Sequence, residues 1–268
     1  MTSPAITSAS NPRIRNAVEL RERRHRERRG ETIIDGAREV LRAIEAGVAV
    51  EEAFVCNPLV RTPDAESARD ALAKAGAEIV DVGERAFERL AFGERAEGVI
   101  VVVRTPSTDL GGLDLPRDPL VVVVEAVEKP GNLGAILRSA DGAGADAIIA
   151  ADPRTDVFNP NAIRASLGTI FALPLAIAHA ADTLDWLAGH GIRSIAARVD
   201  AARPYMEANL TGAVAVVLGS EAEGLSETWR DPRVEAVRLP MHGVADSLNV
   251  AATAAVLLYE ARRQRDRA

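Results

Sequence analysis

The chain has 268 residues, of which 47% are hydrophobic, and its formal net charge at pH 7 is -7. This length and hydrophobic content allow one large core or two modest cores without disulfide support. The single cysteine, Cys56, excludes an internal disulfide and a cysteine-based metal cluster, and it favours a reducing, cytoplasmic setting. The amino terminus lacks the basic-then-apolar order of a secretion signal, and no apolar run approaches the roughly 20 residues of a membrane span. We therefore expect a soluble protein with no membrane partner.

An arginine-rich segment lies between Asn11 and Gly30, although the chain is acidic overall. It contains eight arginines and three glutamates, and Arg23, Arg24 and Arg28 are its candidate nucleic-acid contacts. Binding to nucleic-acid phosphates needs a basic face of this kind. A solvated, ion-paired helix has the same composition, so both interpretations stay open.

The first 105 residues are predicted to form a smaller α/β domain. A helix from about residue 11 is followed by a short apolar segment and then by alternating helices and strands. These are a helix over residues 37–46, a strand at 52–56, a helix over 65–75, and strands at 77–82 and 98–103. Residues 106–117 are rich in Pro, Gly and Asp without sustained periodicity, which is typical of a linker.

From residue 118 onward, strands and helices alternate along the chain. The predicted strands cover residues 120–125, 145–150, 171–177, 193–197, 213–219 and 235–239. Such alternation predicts a mostly parallel sheet covered by helices on both faces. We therefore expect a second α/β domain over residues 118–268.

Three short segments in this second half each follow an apolar, β-branched run: residues 131–138, 218–225 and 239–250. Ligands of open α/β sheets bind outside the carboxyl ends of the strands, so we expect the three segments to form one composite site. The chain contains neither the G-x-G-x-x-G spacing of a dinucleotide loop nor a G-x-x-x-x-G-K-[ST] phosphate loop. The sequence therefore does not favour a nicotinamide-dependent enzyme or an ordinary nucleoside-triphosphate-binding enzyme.

Side chains of the first and third segments also have local interpretations. Asn132 is expected to cap the amino terminus of the helix that follows it, and Asp246 or Ser247 to cap a helix over residues 249–265. Arg138 falls among apolar residues of the first helix, whose surroundings we expect to be packed. An arginine in packed surroundings needs a phosphate or carboxylate partner.

The three segments resemble the signature motifs of the SpoU/TrmH branch of the SPOUT RNA methyltransferases. The matching residues are Asn132, Gly134 and Arg138 in the first motif, Gly219, Glu221 and Gly224 in the second, and residues 239–241 with 247–250 in the third. Residues 159–168 resemble the family's Arg-Ala-Ser-x-Gly stretch, and the amino-terminal region resembles the substrate-binding domain often attached to these enzymes. The resemblance covers nearly the whole chain and is strongest from residue 118 onward.

This resemblance implies an enzyme that uses S-adenosylmethionine to methylate a ribose 2'-hydroxyl of structured RNA, and a homodimer with a trefoil knot in the catalytic domain. It places the cofactor among the loops that contain Leu218, Gly219, Leu239, Met241, Ser247 and Leu248. The residues that it assigns to ordering the site and the ribose are Asn132, Glu221, Ser247 and Asn249, and Arg164 is a candidate RNA contact. A substrate-binding domain before the catalytic one favours large-subunit ribosomal RNA over transfer RNA.

The implied chemistry is an aligned attack of a weakly acidic hydroxyl on a methyl group, with stabilisation of the developing alkoxide. Arg138 is the candidate for holding the ribose phosphate and stabilising this oxyanion, because a general-base role would require a neutral guanidine. His242 is interpreted as an ordinary loop residue. The four histidines lack metal-ligand spacing, so no metal is expected. Three alternatives stay open: a ribosome-assembly factor that binds RNA without turnover, a transfer-RNA ribose methyltransferase and a base methyltransferase.

Overall fold

The computed structural model describes residues 5–92 and 96–267, and it divides the chain into two units, each built around its own sheet. The first unit consists of the described residues up to Pro106 together with Phe158–Ala172. Residues 1–4, on which part of the expectation of no secretion signal rests, lie outside the described residues. Within the described ranges, no helix is both long enough and apolar enough to cross a membrane.

The first unit has a four-stranded sheet in the order β1-β4-β2-β3. Its elements are α1 Pro12–Glu19, α2 Arg23–Arg29, β1 Glu31–Asp35, α3 Ala37–Glu45, β2 Val50–Val55, α4 Pro63–Lys74, β3 Ile79–Asp81, α5 Glu84–Leu90 and β4 Val99–Arg104. The central strand β4 is antiparallel to β1 and β2, and β3 is parallel to β2. The first five residues of β4 are Val or Ile and are all buried, as expected for a strand between two neighbours.

One core cluster of this unit joins α1 and α5 to the sheet. Ile14 of α1, Phe54 of β2, and Phe87 and Leu90 of α5 are fully buried within it. Burial of such side chains stabilises the fold by about 1.5–3 kcal/mol each. The helices and the sheet confirm that a smaller α/β domain precedes the second half of the chain.

The second half has a seven-stranded sheet in the order β7-β6-β5-β10-β8-β11-β9. The elements of this half, in chain order, are β5 Leu120–Glu125, α6 Pro130–Gly142, β6 Ala147–Ala151, α7 Pro160–Ala165, α8 Thr169–Ala172, β7 Leu175–Ala178, α9 Ala180–Gly189, β8 Arg193–Ala197, β9 Arg203–Pro204, β10 Val214–Leu218, β11 Val234–Arg238 and α10 Val250–Arg265. Of these, the helices α7 and α8 belong to the first unit. Every described strand pair of this sheet is parallel, which confirms the predicted fold class.

The starts of two elements differ most from the sequence-based prediction. Phe171 lies in α8, where its ring stacks on Phe158 at 6.2 Å, so the strand that we predicted from residue 171 begins only at Leu175. Helix α6 begins at Pro130, two residues before Asn132, because proline fits the first helical position, where no N–H is needed. The predicted capping role of Asn132 is therefore wrong.

The amino-terminal cap of α10 also differs from the prediction. Asn249 caps this helix by accepting the N–H of Ala251 at 2.9 Å, so neither Asp246 nor Ser247 has the predicted capping role. Asn249 fits because its short side chain can reach the second N–H of the helix.

Residues 107–119 form no long helix or strand but are packed on the second unit. The N–H of Ile177 in β7 donates to the carbonyl of Thr108 at 2.9 Å, and Leu113 and Leu115 pack against the core of this unit. The predicted division into residues 1–105, a linker over 106–117 and a domain over 118–268 stays a prediction. In the structure, Phe158–Ala172 pack with the first unit, although they lie within the predicted second domain in sequence.

Candidate active site

Strand pairing brings the first two motif segments to the same edge of the sheet. β5 and β10 are parallel neighbours, with Val124 opposite Leu218, so the loops after both strands leave the sheet side by side. The third segment runs from the end of β11 to the start of α10. Its residue Asn249 reaches both of the other segments.

One side chain from each segment joins a hydrogen-bonded cluster. The amide nitrogen of Asn249 donates to Oδ1 of Asn132 at 3.3 Å and to Oε1 of Glu221. Since Asn249 Oδ1 accepts the N–H of Ala251, the orientation of this amide is fixed at both ends. The structure therefore brings Asn132, Glu221 and Asn249 together.

Lys129 belongs to the same cluster, although the sequence analysis did not identify it. Its Nζ donates to Oε2 of Glu221 at 2.7 Å. This hydrogen bond is the main reason why the pKa of Glu221 lies below its ordinary value and the pKa of Lys129 above it. The signal in the sequence is the position of Lys129, two residues before the first segment begins at Gly131.

A cavity of about 490 Å³, the main cavity, lies beside this cluster. It is lined by all six residues to which the resemblance assigns cofactor binding, namely Leu218, Gly219, Leu239, Met241, Ser247 and Leu248. Its volume lies within the ~300–1,000 Å³ typical of small-molecule and cofactor sites. Ser247 lines this cavity but has no described hydrogen bond to the cluster.

A second cavity of about 160 Å³, the small cavity, shares Gly219, Ser220, Glu221, Ala222 and Val250 with the main cavity. Glu128, Lys129 and Asn132 complete its polar side. The polar cluster thus lies between a cofactor-sized space and a smaller one. A ligand in the main cavity and a small polar group in the other would meet at the same residues.

The loop after β10 folds back on itself through its glycines. Ser220 and Gly224 exchange two backbone hydrogen bonds of 3.0 Å each. A Cβ atom at Gly219 would lie 2.3 Å from the carbonyl carbon of Gly224, and Gly224 itself has a φ of 69°. Side chains at these two positions would open the turn that lines the main cavity.

Ion pairs connect the neighbouring loops at the rim of the site. Arg154, from the loop after β6, donates to Glu128 at 2.6 Å and also contacts Glu223. On the wall of the main cavity, Asp200 pairs with Arg198 at 2.7 Å and with Arg230 at 3.1 Å. The Arg198 guanidinium is the main cause of the lowered pKa of Asp200.

Arg138 is exposed, and the prediction of packed surroundings is wrong. Helix α6 buries Leu133, Ile136, Leu137 and Ala140, and the position of Arg138 falls outside this buried stripe. In the part of the chain that the structure describes, Arg138 has no hydrogen bond or ion pair. Its guanidinium is therefore available for a phosphate or a carboxylate from outside the chain.

Arg164 has a partner within the first unit. Its guanidinium lies 3.4 Å from Asp35, whose side chain is 1% exposed, while the Arg164 side chain is 27% exposed. Compensating a buried carboxylate is a structural role that the sequence analysis did not anticipate. An RNA contact of Arg164 stays a prediction.

The arginine-rich segment divides into structural and exposed members. Arg26 is buried and donates to the carbonyls of residues 20 and 21, and Arg21 donates to three carbonyls at and after the end of α5. Arg23, Arg24 and Arg28 instead contact Glu27, Glu22 and His25, respectively. The first two of these ion pairs are more than half exposed, and exposed pairs contribute little to stability.

A parallel sheet with a cofactor-sized cavity and an acid–amide cluster beyond its strand ends defines an α/β protein of the ligand-binding, enzyme-like class. A family model described as "SpoU rRNA Methylase family" matches residues 119–259, and a model described as "MRM3-like substrate binding domain" matches residues 11–101. The chain belongs to the SpoU rRNA methylase family.

Individual relatives agree with this assignment. The chain is 31% identical over 261 residues to a 23S rRNA (uridine(2479)-2'-O)-methyltransferase of Streptomyces viridochromogenes, with 92% of this chain and 87% of the relative covered. A crystal structure of an RNA 2'-O ribose methyltransferase has a TM-score of 0.84 and 40% identity and covers 97% of this chain and 99% of that one. The AdoMet-bound rRNA methyltransferase of Sinorhizobium meliloti has a TM-score of 0.86 and 27% identity, with 97% of each chain covered.

Proposed function

We propose that this protein is an RNA methyltransferase that transfers a methyl group from S-adenosylmethionine to a ribose 2'-hydroxyl of large-subunit ribosomal RNA. The observation that carries the proposal is the cluster of Asn132, Glu221 and Asn249 beside the main cavity. The names of the relatives, which specify 2'-O-methylation of 23S rRNA, support the substrate.

The main cavity fits the proposed cofactor in size and in lining. Much of its wall is loop, where backbone N–H and C=O groups can recognise an adenine edge without charged side chains. Leu218, Leu239, Met241 and Leu248 supply apolar contact, and Gly219 keeps the wall free of a side chain. Bound S-adenosylmethionine supplies an electrophilic methyl group on a sulfonium centre.

The polar cluster binds and orients the acceptor ribose. Asn132 offers an amide group on the wall of the small cavity, and ionised Glu221 offers acceptor oxygens there. Asn249 holds both side chains through its amide nitrogen. Ser247 contributes a hydroxyl from the wall of the main cavity. Holding the hydroxyl in one geometry lowers the barrier by removing its rotational freedom before the reaction.

Arg138 holds the phosphate next to the target ribose and stabilises the developing oxyanion. Its exposed guanidinium presents five N–H donors in a planar fork, which matches phosphate oxygens. An arginine stays charged in proteins, so the proton of the hydroxyl leaves to water or phosphate rather than to Arg138.

The remaining assignments concern the assembly and the setting of the protein. We infer that the amino-terminal domain binds the RNA substrate through Arg23, Arg24 and Arg28, with Arg164 as a further contact. The family resemblance supports a homodimer and a trefoil knot in the catalytic domain, and light scattering on purified protein tests the dimer. A cytoplasmic location agrees with a ribosomal RNA substrate and a single cysteine.

Nucleoside analysis of the product tests the proposed function. The purified protein is incubated with S-adenosylmethionine and 23S rRNA, the RNA is digested, and the nucleosides are measured by mass spectrometry. We expect one 2'-O-methylated nucleoside that is absent without the cofactor. A methylated base would contradict the ribose assignment, methylation of transfer RNA alone would contradict the substrate, and RNA binding without cofactor binding would indicate an assembly factor.

A further inference from the structure

Glu125 is a buried carboxylate that the proposed reaction does not use. It is the last residue of β5, and only 4% of its surface is exposed. Its Oε2 accepts the backbone N–H of Ser226 at 2.7 Å, and its Oε1 accepts the Ser226 hydroxyl at 2.6 Å. These two hydrogen bonds form the Glu125–Ser226 clamp. In the described part of the chain, no lysine, arginine or histidine pairs with Glu125.

The clamp is strong for a contact between two loop ends. Burying a carboxylate is costly unless hydrogen bonds compensate for the removal of water. Here one residue supplies both donors, so each oxygen of the buried carboxyl group accepts one hydrogen bond. Breaking the clamp would leave both oxygens of this buried side chain without a hydrogen-bond donor, so the clamped conformation is favoured.

Ser226 ends the loop that lines both cavities. At the other end of this loop, Leu218 is paired in the sheet with Val124, the neighbour of Glu125. Both ends of residues 219–225 are therefore attached to the carboxyl end of β5. Ser226 also precedes a short 3-10 turn that contains the fully buried Trp229, so the chain is fixed beyond the clamp as well.

We propose that Glu125 is a positioning residue for the cofactor site, which holds residues 219–225 in the conformation that lines the main cavity and presents Glu221. This inference rests on the proposed function. Glu125 touches neither cavity, and it acts only through Ser226.

Three variants and one control test this role. Glu125→Ala removes the clamp, whereas Glu125→Gln keeps it, because an amide oxygen can accept the Ser226 N–H while the amide nitrogen donates to the hydroxyl. Ser226→Ala removes only the hydrogen bond from the Ser226 hydroxyl. The control is Asp146→Ala. Asp146 accepts the N–H of Leu120, the first residue of β5, at 2.7 Å, so this variant removes a carboxylate hydrogen bond at the end of β5 that lies away from Glu125.

The first readout is hydrogen exchange without cofactor. The amides of Ser220, Glu223 and Gly224 are hydrogen-bonded within the loop, so their exchange reports on its closed conformation. We expect Glu125→Ala to accelerate their exchange about tenfold or more, and Glu125→Gln to change it less than about threefold. Asp146→Ala leaves these amides unchanged.

The second readout is the Kd for S-adenosylmethionine, measured by calorimetry together with the melting temperature. We expect Glu125→Ala to raise the Kd about tenfold and Ser226→Ala about threefold, while Glu125→Gln and Asp146→Ala stay near the wild type. Adding Ser226→Ala to Glu125→Ala should change the Kd little further, because the pair acts as a unit.

Unchanged exchange and unchanged Kd in Glu125→Ala overturn the inference, as does an equal rise in Kd in Asp146→Ala. If Glu125→Ala does not fold, Ser226→Ala decides, since it keeps the buried acid and the backbone hydrogen bond. If the wild type fails to bind S-adenosylmethionine while Glu125→Ala still accelerates exchange, the proposed function fails and the positioning role stands.

Discussion

Glu221 is held through both of its carboxylate oxygens. Lys129 donates to one oxygen and Asn249 to the other, and the Lys129 contact is the main reason for the lowered pKa of Glu221. An ionised carboxylate can only accept hydrogen bonds, so it fixes the Asn249 amide with its N–H groups directed toward Glu221. The charge state of Glu221 therefore sets the geometry of the polar cluster.

Lys129→Met tests this arrangement through its pH dependence. Without the lysine, the pKa of Glu221 rises toward its ordinary value, so protonation removes the acceptor at a higher pH. We expect the acid limb of the pH profile of kcat/KM to move to higher pH. Lys74→Met, which changes the only other lysine of the chain on the first unit, should leave the profile in place. An unchanged profile in Lys129→Met would contradict the role of the pair.

Arg138→Lys tests whether the planar guanidinium is needed. A lysine keeps the charge but does not have the two parallel N–H donors that fit phosphate oxygens. We expect kcat to fall about 100-fold while RNA affinity changes little, as for removal of an oxyanion donor in other enzymes. Arg117→Lys, at another exposed arginine of the same unit, is the matched control. Near-normal turnover with unchanged RNA affinity in Arg138→Lys would contradict the role assigned to the Arg138 guanidinium.

At the scale of elements, α2 exposes the arginines that we assign to RNA. Arg23 and Arg24 form surface ion pairs, which an RNA phosphate can replace at little cost. Arg21 and Arg26 donate to backbone carbonyls, so changing them would destabilise the domain rather than report on RNA. This separation of roles makes a clean charge-reversal experiment possible.

The triple variant Arg23→Glu, Arg24→Glu, Arg28→Glu should weaken RNA binding and flatten its salt dependence. Removing one phosphate neutralisation reduces the slope of log K against log salt by about 0.7–0.9. The matched control reverses three exposed arginines elsewhere in the first unit, Arg38, Arg85 and Arg104. Equal weakening in both triple variants would mean that the effect is one of net charge, and α2 would then be a solvated helix.

Most strands could be predicted from the sequence, because runs of β-branched residues such as those of β4, β5 and β10 strongly favour a buried strand. The prediction was wrong where one residue type suits two structural roles. Asn132 has the chemistry of a cap, but Pro130 starts the helix earlier and leaves the Asn132 side chain to the polar cluster. Apolar neighbours in sequence also suggested packing around Arg138, although a helix turns successive residues to different faces.

At the scale of the whole molecule, chain order and packing do not coincide. Phe158–Ala172, which lie between β6 and β7 in sequence, pack with the first unit: the carbonyl of Phe158 accepts the Thr32 hydroxyl at 2.9 Å, and that of Leu167 accepts an Arg42 N–H at 2.6 Å. Periodicity reports local structure only, so it could not indicate this assignment. For the same reason, it could not identify Lys129 or Glu125, whose partners are about 90 and 100 residues away in sequence.

The central claim is that segments 131–138, 218–225 and 239–250 form one site for a methyl donor and a ribose. A crystal structure of the protein with S-adenosylmethionine tests it most directly. We predict the cofactor in the main cavity, in contact with Gly219, Leu239, Met241 and Leu248, with its methyl group directed toward the cluster of Asn132 and Glu221. A cofactor bound elsewhere, or a closed main cavity with the segments apart, would contradict the account.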